Sequence, residues 1–353
     1  MDGFANSSKP YQIKNFLTKN GFEVDILNTM FISRLGESSK KQFLPSAKPL
    51  SLTHYLLESL SFIQKKFFNF SRKDTYYYLL RLQMHIRKRL LLAHIVGYNH
   101  IICESPIDSL IFLNDLGDTN KIYDCATPIA DELYFGNEIN TRQYRSFKKL
   151  EIKIYKSVDH LSFHWQSYAD YVKKYYADIN NITVFSFGVD SKKEHAHYSK
   201  KPRIVYMGYL GGYWINLELL SALSKLYDID VYGGPEPPQA LGLNYCGYAK
   251  PDKLLDYQFG LVTLSKDRLR NEGFSAKHLE YLSYGLPVLM PEWRTVSRSI
   301  KGTIHYNKGN FLSLIQRYSN KKEWNKLSQQ ALKQSQQYSW NNTLKPLLKM
   351  LNG

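Results

Sequence analysis

Glu272-Gly273-Phe274-Ser275-Ala276-Lys277-His278-Leu279-Glu280 runs directly into Tyr281-Leu282-Ser283-Tyr284-Gly285-Leu286-Pro287-Val288-Leu289. The spacing predicts a helix over 275–284, a stop at Gly285 and a buried strand over 287–290. Seven residues separate the carboxylates of Glu272 and Glu280. With Glu272 in the preceding loop and Glu280 one to two turns into the helix, both can face one cleft. Lys277 and Glu280 are three apart and share a helix face. A carboxylate accepts two hydroxyl hydrogen bonds at once, which suits a ribose diol, while a helix N-terminus and a lysine suit a diphosphate. An amphipathic helix with an internal ion pair has the same spacing. What sets this one apart is the stop and the strand that follow, which place the pair at a strand-to-helix crossing.

Outward from this stretch the chain alternates. Strands are expected at 203–207, 230–232, 244–246 and 260–264, with a glycine loop over 208–212 and helices over 216–226 and 251–258. Before them 188–202, rich in Lys and Ser, reads as a linker. An earlier series has strands at 101–103, 121–124, 160–163 and 182–185 and helices at 107–116, 141–157 and 167–176. A helix over 11–20, a strand over 22–27, a loop over 31–50 and two helices within 51–96 precede it, and three helical segments close the chain. Strands alternating with helices predict parallel sheets covered on both faces. The fold class is therefore α/β, with two Rossmann-like domains facing a central cleft at the carboxyl ends of their strands, where such sheets bind ligands. The expected domains are 1–187, 188–335 and a returning C-terminal helix over 336–353.

Composition agrees with this and removes several alternatives. The 353 residues are 43% apolar, with 28 Tyr, 18 Phe and 5 Trp, ample for two packed cores and unlike a disordered chain. The net charge of +16 is unevenly placed. Residues 1–100 carry 15 basic and 6 acidic side chains, 101–300 carry 23 and 24, and 301–353 carry 9 and 1. A uniform nucleic-acid coat would not look like this. Cys103, Cys125 and Cys246 form no CxxC pair, so neither a disulfide framework nor a zinc site is expected, and a reducing cytoplasm is the default. No signal peptide or membrane span is read from the sequence. Asp228-Ile229-Asp230 matches a D-x-D metal motif but enters a strand away from the cleft side. His160 and His164 sit on a strand and loop, where their spacing does not converge on a metal, and His195-Ala196-His197 falls in the polar linker.

The ordered series from Arg203 to Pro291 resembles the donor-binding domain of GT-B glycosyltransferases, in particular the family-4-like group of bacterial polysaccharide assembly. The matching pieces are Arg203–Gly212, Val231-Tyr232-Gly233-Gly234, Tyr245-Cys246-Gly247-Tyr248 with Leu254, Leu255 and Tyr257, and the E-x7-E element over 272–288. Phe185-Ser186-Phe187-Gly188-Val189-Asp190 resembles the N-G-V-D interdomain signature, with Phe187 where Asn is usual. Tyr338-Ser339-Trp340 resembles the element before a last helix that crosses back to the N-terminal domain. The resemblance covers most of 100–350 in order.

It implies a transferase that moves a sugar from a UDP- or GDP-linked donor to a saccharide or lipid-linked acceptor, without a cofactor or a required metal. Glu280 would hold the ribose diol. Glu272, with the backbone N–H groups of Gly273 and Phe274, would contact the donor sugar. Lys277 and the Gly211–Gly212 loop would face the diphosphate, and the backbone at Tyr248-Ala249 would edge the base. Two departures stand out. Tyr213, Trp214 and Asn216 occupy the loop where the group often carries an Arg and a Lys, leaving more of that role to Lys277 with Arg268 or Lys266. Only nine residues precede Pro10 and none reads as a strand, so the first strand of the N-terminal domain is expected to be missing, with Gly3 to Ser8 as the remains of its loop.

Asp124, at the end of the strand Lys121-Ile122-Tyr123-Asp124, is the candidate general base for an inverting reaction; a capping role is the alternative. Glu104 is a weaker candidate. Residues 64–92 hold eight cations, one acid and six aromatics, which suits contact with an anionic membrane face, as does a solvated basic helix. The expectation is a cytoplasmic protein peripheral to the inner membrane. Other readings are a nucleotide-sugar epimerase or hydrolase of the same fold, or a non-catalytic basic adaptor for membranes or nucleic acid.

Overall fold

The computed structural model describes residues 9–28, 47–49, 72–106, 108–273 and 275–352. Gly3 to Ser8, the first of the two helices expected within 51–96, and Phe274 lie outside the described residues. α1 (Lys9–Lys19) opens the described chain. β1 (Ile26–Asn28) pairs in parallel with β2 (Ala47–Pro49), so part of the stretch expected as a loop is a strand.

α2 (Arg72–Leu92) leads to β3 (His100–Cys103), β4 (Asn120–Cys125), β5 (His160–Phe163) and β6 (Ile182–Val184), which pair in parallel in that order. The expected helix over 107–116 is a single 3₁₀ stretch, Ser109–Leu113. Asp108 stands at its cap position but makes no capping bond. The carboxylate instead lies 3.6 Å from the Arg87 guanidinium in a buried ion pair. α3 (Ile129–Phe135) and α4 (Thr141–Ser157) cross from β4 to β5, and α5 (Gln166–Tyr175) from β5 to β6. α4 starts where a reciprocal capping box forms between Asn140 and Gln143, satisfying two orphan donors at once.

β7 (Ile204–Met207), β8 (Ile229–Tyr232), β9 (Asn244–Tyr245), β10 (Phe259–Leu261), β11 (Val288–Pro291) and β12 (Thr303–Tyr306) build a second parallel sheet in the order β12-β11-β10-β7-β8-β9. β7, β10 and β11 are buried at every residue, as strands covered on both faces must be. β12 is absent from the sequence expectation. It is an edge strand in which only Ile304 and Tyr306 are buried, and four residues of alternation are a weak signal. Around this sheet run α6 (Leu217–Ser224), α7 (Arg268–Glu272), α8 (Ala276–Ser283), α9 (Phe311–Tyr318), α10 (Lys321–Gln337) and α11 (Trp340–Thr343). α12 (Lys345–Asn352) follows.

The chain divides into two compact units. One gathers the chain up to Phe16 with Phe187–Leu344; the other gathers Leu17–Ser186 with the chain from Lys345 onward. Within the second unit, Asn120 Nδ2 donates to the Met350 carbonyl at 2.6 Å, tying α12 to the start of β4. The stretch 188–202, expected as a linker, is fastened along the first unit. Val189 N–H bonds the Tyr338 carbonyl, Ala196 N–H bonds the Tyr284 carbonyl, and Gln258 Nε2 donates to the His197 carbonyl. Val189 and Ala196 are buried there, and buried backbone needs such partners. The Trp340 ring lies against Gly188, so the two signature motifs at 185–190 and 338–340 meet.

Candidate functional site

β7 and β8 run directly into Gly208 and Gly233, and Gly247 lies two residues past the end of β9. Gly208 N–H donates to the Tyr232 carbonyl at 2.9 Å, and Gly233 N–H to the Gly247 carbonyl at 2.8 Å. A side chain on Gly233 would run into the Gly208 carbonyl oxygen, and Gly233 has φ +123°; only glycine allows the two strand ends this close. From there Gly208–Ile215 forms the loop into α6, whose first turn is capped by Asn216 Oδ1 accepting from Leu219 N–H at 2.8 Å. Gly211 is exposed and Gly212 half-buried under the Trp214 ring.

α8 is pinned against this edge. The Tyr281 hydroxyl accepts from Met207 N–H at 2.8 Å, and its ring covers Gly260. Gly285, with φ +76°, closes the helix: its N–H reaches the Leu282 carbonyl and Leu286 N–H the Tyr281 carbonyl, both at 3.0 Å. Its left-handed turn sends the chain straight into β11. Lys277, in the first turn of α8, donates to the Tyr206 hydroxyl at 2.7 Å and holds its ammonium 4.2 Å from that ring's centre. The same ammonium covers Gly208, where a side chain would collide with it. Desolvation pushes Lys277 down to about 7, against the pull of Glu280. Glu280 is pushed up to about 7 by desolvation, opposed by Lys192 and Lys277 and reinforced by Asp190. Thus a cation and a carboxylate that are both costly to charge stand on one helix face beside a glycine-lined strand edge. Perturbation of this kind marks a candidate site.

Glu272 is the last residue of α7 rather than part of a loop. Gly273 N–H closes that helix on the Leu269 carbonyl at 3.0 Å, so this donor is already engaged within the helix cap. The Gly273 carbonyl accepts from the buried Arg294 guanidinium. Arg270, in the middle of α7, reaches the loop before α6: it donates to the Tyr213 hydroxyl at 2.7 Å and stacks over Tyr213 and Trp214. Sequence reasoning named Arg268 and Lys266 and missed Arg270 and Arg294. The aromatics of the loop were the available signal for Arg270; nothing local marks Arg294. Tyr248 is 75% exposed beyond β9, its hydroxyl over Gly234, with Ala249 half-buried beside it.

In the other unit, Asp124 sits near the carboxyl end of β4 and is fully buried. Its carboxylate lies 3.3 Å from Nε2 of His164, which follows the end of β5. The two neighbouring parallel strands pair Asp124 with Ser162, so a histidine two residues on comes alongside the aspartate. The turn after Asp124 is held by Glu151 of α4, which accepts Ile129 N–H at 2.7 Å and Ala130 N–H at 2.9 Å. Burial pushes the Glu151 carboxyl up to about 7. The sequence marks His164 only as a discounted metal ligand beside His160, and Glu151 not at all. Asp230 of the D-x-D triplet accepts from Arg203 at 2.6 Å, Tyr257 at 2.7 Å and Asn244 at 2.6 Å. Desolvation opposes these bonds, yet they hold its carboxyl below the usual range. Among the described residues no group of three or more His, Cys, Asp or Glu side chains is placed to hold a metal ion.

No family model and no curated protein sequence matches this chain. Its fold has clear counterparts among solved structures. A glycosyltransferase from Rickettsia africae ESF-5 superposes with a TM-score of 0.64 at 12% identity, covering 100% of this chain and 95% of the other. TarM superposes at 0.61 with 15% identity, over 76% of this chain and 58% of TarM, so the chain spans less than two thirds of that protein. Alr3699/HepE from Anabaena, in complex with UDP-glucose, superposes at 0.60 with 10% identity, over 75% and 81%. The chain has the GT-B glycosyltransferase fold, with two Rossmann-like domains.

Proposed function

We propose that the protein is a glycosyltransferase that moves a sugar from a nucleotide-sugar donor to a saccharide or lipid-linked saccharide. The observation that carries this is the presentation of Lys277 and Glu280 from α8 beside the glycines that follow β7, β8 and β9. Glu280 accepts the ribose diol; Lys277, with the Gly211–Gly212 loop and Arg270, faces the diphosphate. Glu272 and the backbone N–H of Phe274 meet the donor sugar, without the Gly273 N–H, which the end of α7 already uses, and Tyr248 and Ala249 edge the base. A UDP-linked donor is supported by HepE, whose structure holds UDP-glucose, and a GDP-linked one is its competitor. The diphosphate charge is met by protein cations, so the reading includes no metal and no cofactor. Asp124, oriented by His164, is the base if the reaction inverts; a retaining reaction needs none.

A panel of UDP- and GDP-sugars tests this by thermal shift and by nucleotide release. The matching donor raises Tm, because a ligand bound only by the native state stabilises it; no shift with any nucleotide removes the reading. Asp124→Asn is expected to keep that protection and to slow release by about 100-fold. Unchanged release takes Asp124 out of the chemistry. An epimerase or hydrolase instead turns donor over at the full rate with no acceptor.

We place the protein in the cytoplasm, peripheral to an anionic membrane face. On α2, Tyr78 is 68% and Leu82 50% exposed, and with exposed His85 and Arg89 they form one stripe at helical spacing. Tyr77, Leu80, Met84 and Leu91 are buried, so α2 packs by one face and offers the other. Among the described residues no helix is long and apolar enough to cross a membrane. Each exposed cation adds about 1 kcal/mol at an anionic surface. Binding to phosphatidylglycerol vesicles should therefore exceed binding to phosphatidylcholine and fade with salt; equal binding to both argues against this placement.

A further inference from the structure

Glu272 is fastened from both sides by consecutive residues of a distant segment. Asn271, just before it, lends its side-chain Oδ1 to Thr295 N–H and Thr295 Oγ1, each at 3.3 Å. The same Asn271 donates through Nδ2 to Glu272 Oε1 at 3.1 Å. Gly273, just after it, gives its carbonyl to Arg294. Arg294 and Thr295 lie just past Glu292 and Trp293 at the end of β11, the strand into which α8 itself leads.

The guanidinium is deeply placed: Arg294 is 2% exposed, among the largest fully buried side chains of the described residues. His278 on α8 and His305 on β12 lie close enough for its charge to lower both, although burial is the larger cause for each. Ser297 Oγ closes this cluster by donating to the Arg294 carbonyl at 2.9 Å and meeting His305 Nε2 at 3.0 Å. Taking a guanidinium out of water is expensive, and an apolar side chain of similar size would cost the fold less. What an apolar side chain cannot do is hold a carbonyl in a set direction, whereas the rigid planar fork of an arginine can.

We propose that Arg294 is the positioning residue for Glu272: it fixes the Gly273 carbonyl and so sets the direction in which the end of α7 presents the Glu272 carboxylate. This rests on the reading that Glu272 meets the donor sugar. Catalytic groups must be held to within a fraction of an ångström, and a small misplacement alone costs up to about 100-fold in rate.

The experiment compares Glu272→Gln, Arg294→Met, Arg294→Gln and the double variant Glu272→Gln/Arg294→Met, using the nucleotide-sugar that the donor panel selects. kcat and KM are measured for nucleotide release, and protection by the free nucleoside diphosphate is measured by thermal shift. Arg294→Met is expected to lower kcat by about 30-fold with diphosphate protection unchanged. Arg294→Gln, which keeps one N–H donor for Gly273, should recover a large part of that loss and covers the case in which the methionine variant does not fold. Because Arg294 acts through Glu272, the double variant should be no slower than Glu272→Gln alone, within about threefold. Losses that multiply in the double variant, or diphosphate protection that falls in step with kcat, overturn the proposal and leave the site reading standing. Full activity in Glu272→Gln overturns the role of Glu272 and this proposal with it.

Discussion

Glu280→Ala is expected to weaken binding of the cognate nucleoside diphosphate by about 100-fold while leaving the protein at least as stable as before. The first half follows from the diol. A carboxylate accepting two hydroxyls forms two charge-assisted bonds, each contributing about 1.5 kcal/mol net, and about 1.4 kcal/mol is tenfold in affinity. The second half follows from the surroundings. The carboxylate raised to about 7 by desolvation is already a burden on the folded state, and alanine is a favourable helix residue at that position of α8. A structural role would produce the opposite pattern, with lost Tm and retained affinity, and so the pair of measurements separates the two. Affinity for the nucleoside diphosphate that survives Glu280→Ala within about threefold would sink the ribose assignment.

Lys277→Met should have a comparable effect on the diphosphate and little on the free nucleoside, because in the proposed site the cation serves the phosphates alone. The pH dependence makes this sharper. Lys277, lowered to about 7, is charged below that pH, and Glu280, raised to about 7, is charged above it. The proposed site needs both charges for binding, so affinity should peak near pH 7 and fall on either side, approaching tenfold per unit. Below the optimum, binding forces Glu280 to release a proton; above it, binding forces Lys277 to take one up. Calorimetry in buffers of different ionisation heat should therefore show the proton exchange change sign across the optimum. Each charge also supports the other. Without Glu280 the Lys277 ammonium loses its favourable neighbour, and the alkaline limb should move to lower pH; without Lys277 the acid limb should move up. A profile that stays flat from roughly one unit below to one unit above pH 7 would remove these two groups from the binding step.

The local elements were legible where one physical signal controlled them. α4 and β5 coincide with their expected bounds because amphipathic spacing and a capping box agree. α8, Gly285 and β11 follow equally directly, since the helix stop and the fully apolar strand leave no competing arrangement. The 3₁₀ stretch at Ser109–Leu113 was not legible, because the Asp108 carboxylate is used by Arg87, 21 residues earlier in the chain. Of the nine cations in 301–353, only Lys345 and Lys349 belong to the unit that holds α2.

The sequence by itself determined the alternating α/β order, the parallel sheets that order requires, and the placing of Glu272, Lys277 and Glu280 around one helix start. Those follow from periodicity and from residues a few positions apart. Only the tertiary structure decided which groups stand against them: Tyr206 and Gly208 under Lys277, Arg270 on the loop aromatics, Arg294 on Gly273, and His164 beside Asp124. In a parallel sheet every strand must be reached by a crossover, so the carboxyl ends that meet in space are tens of residues apart in the chain. No local pattern carries that distance, and the chemistry of this protein is assembled across it.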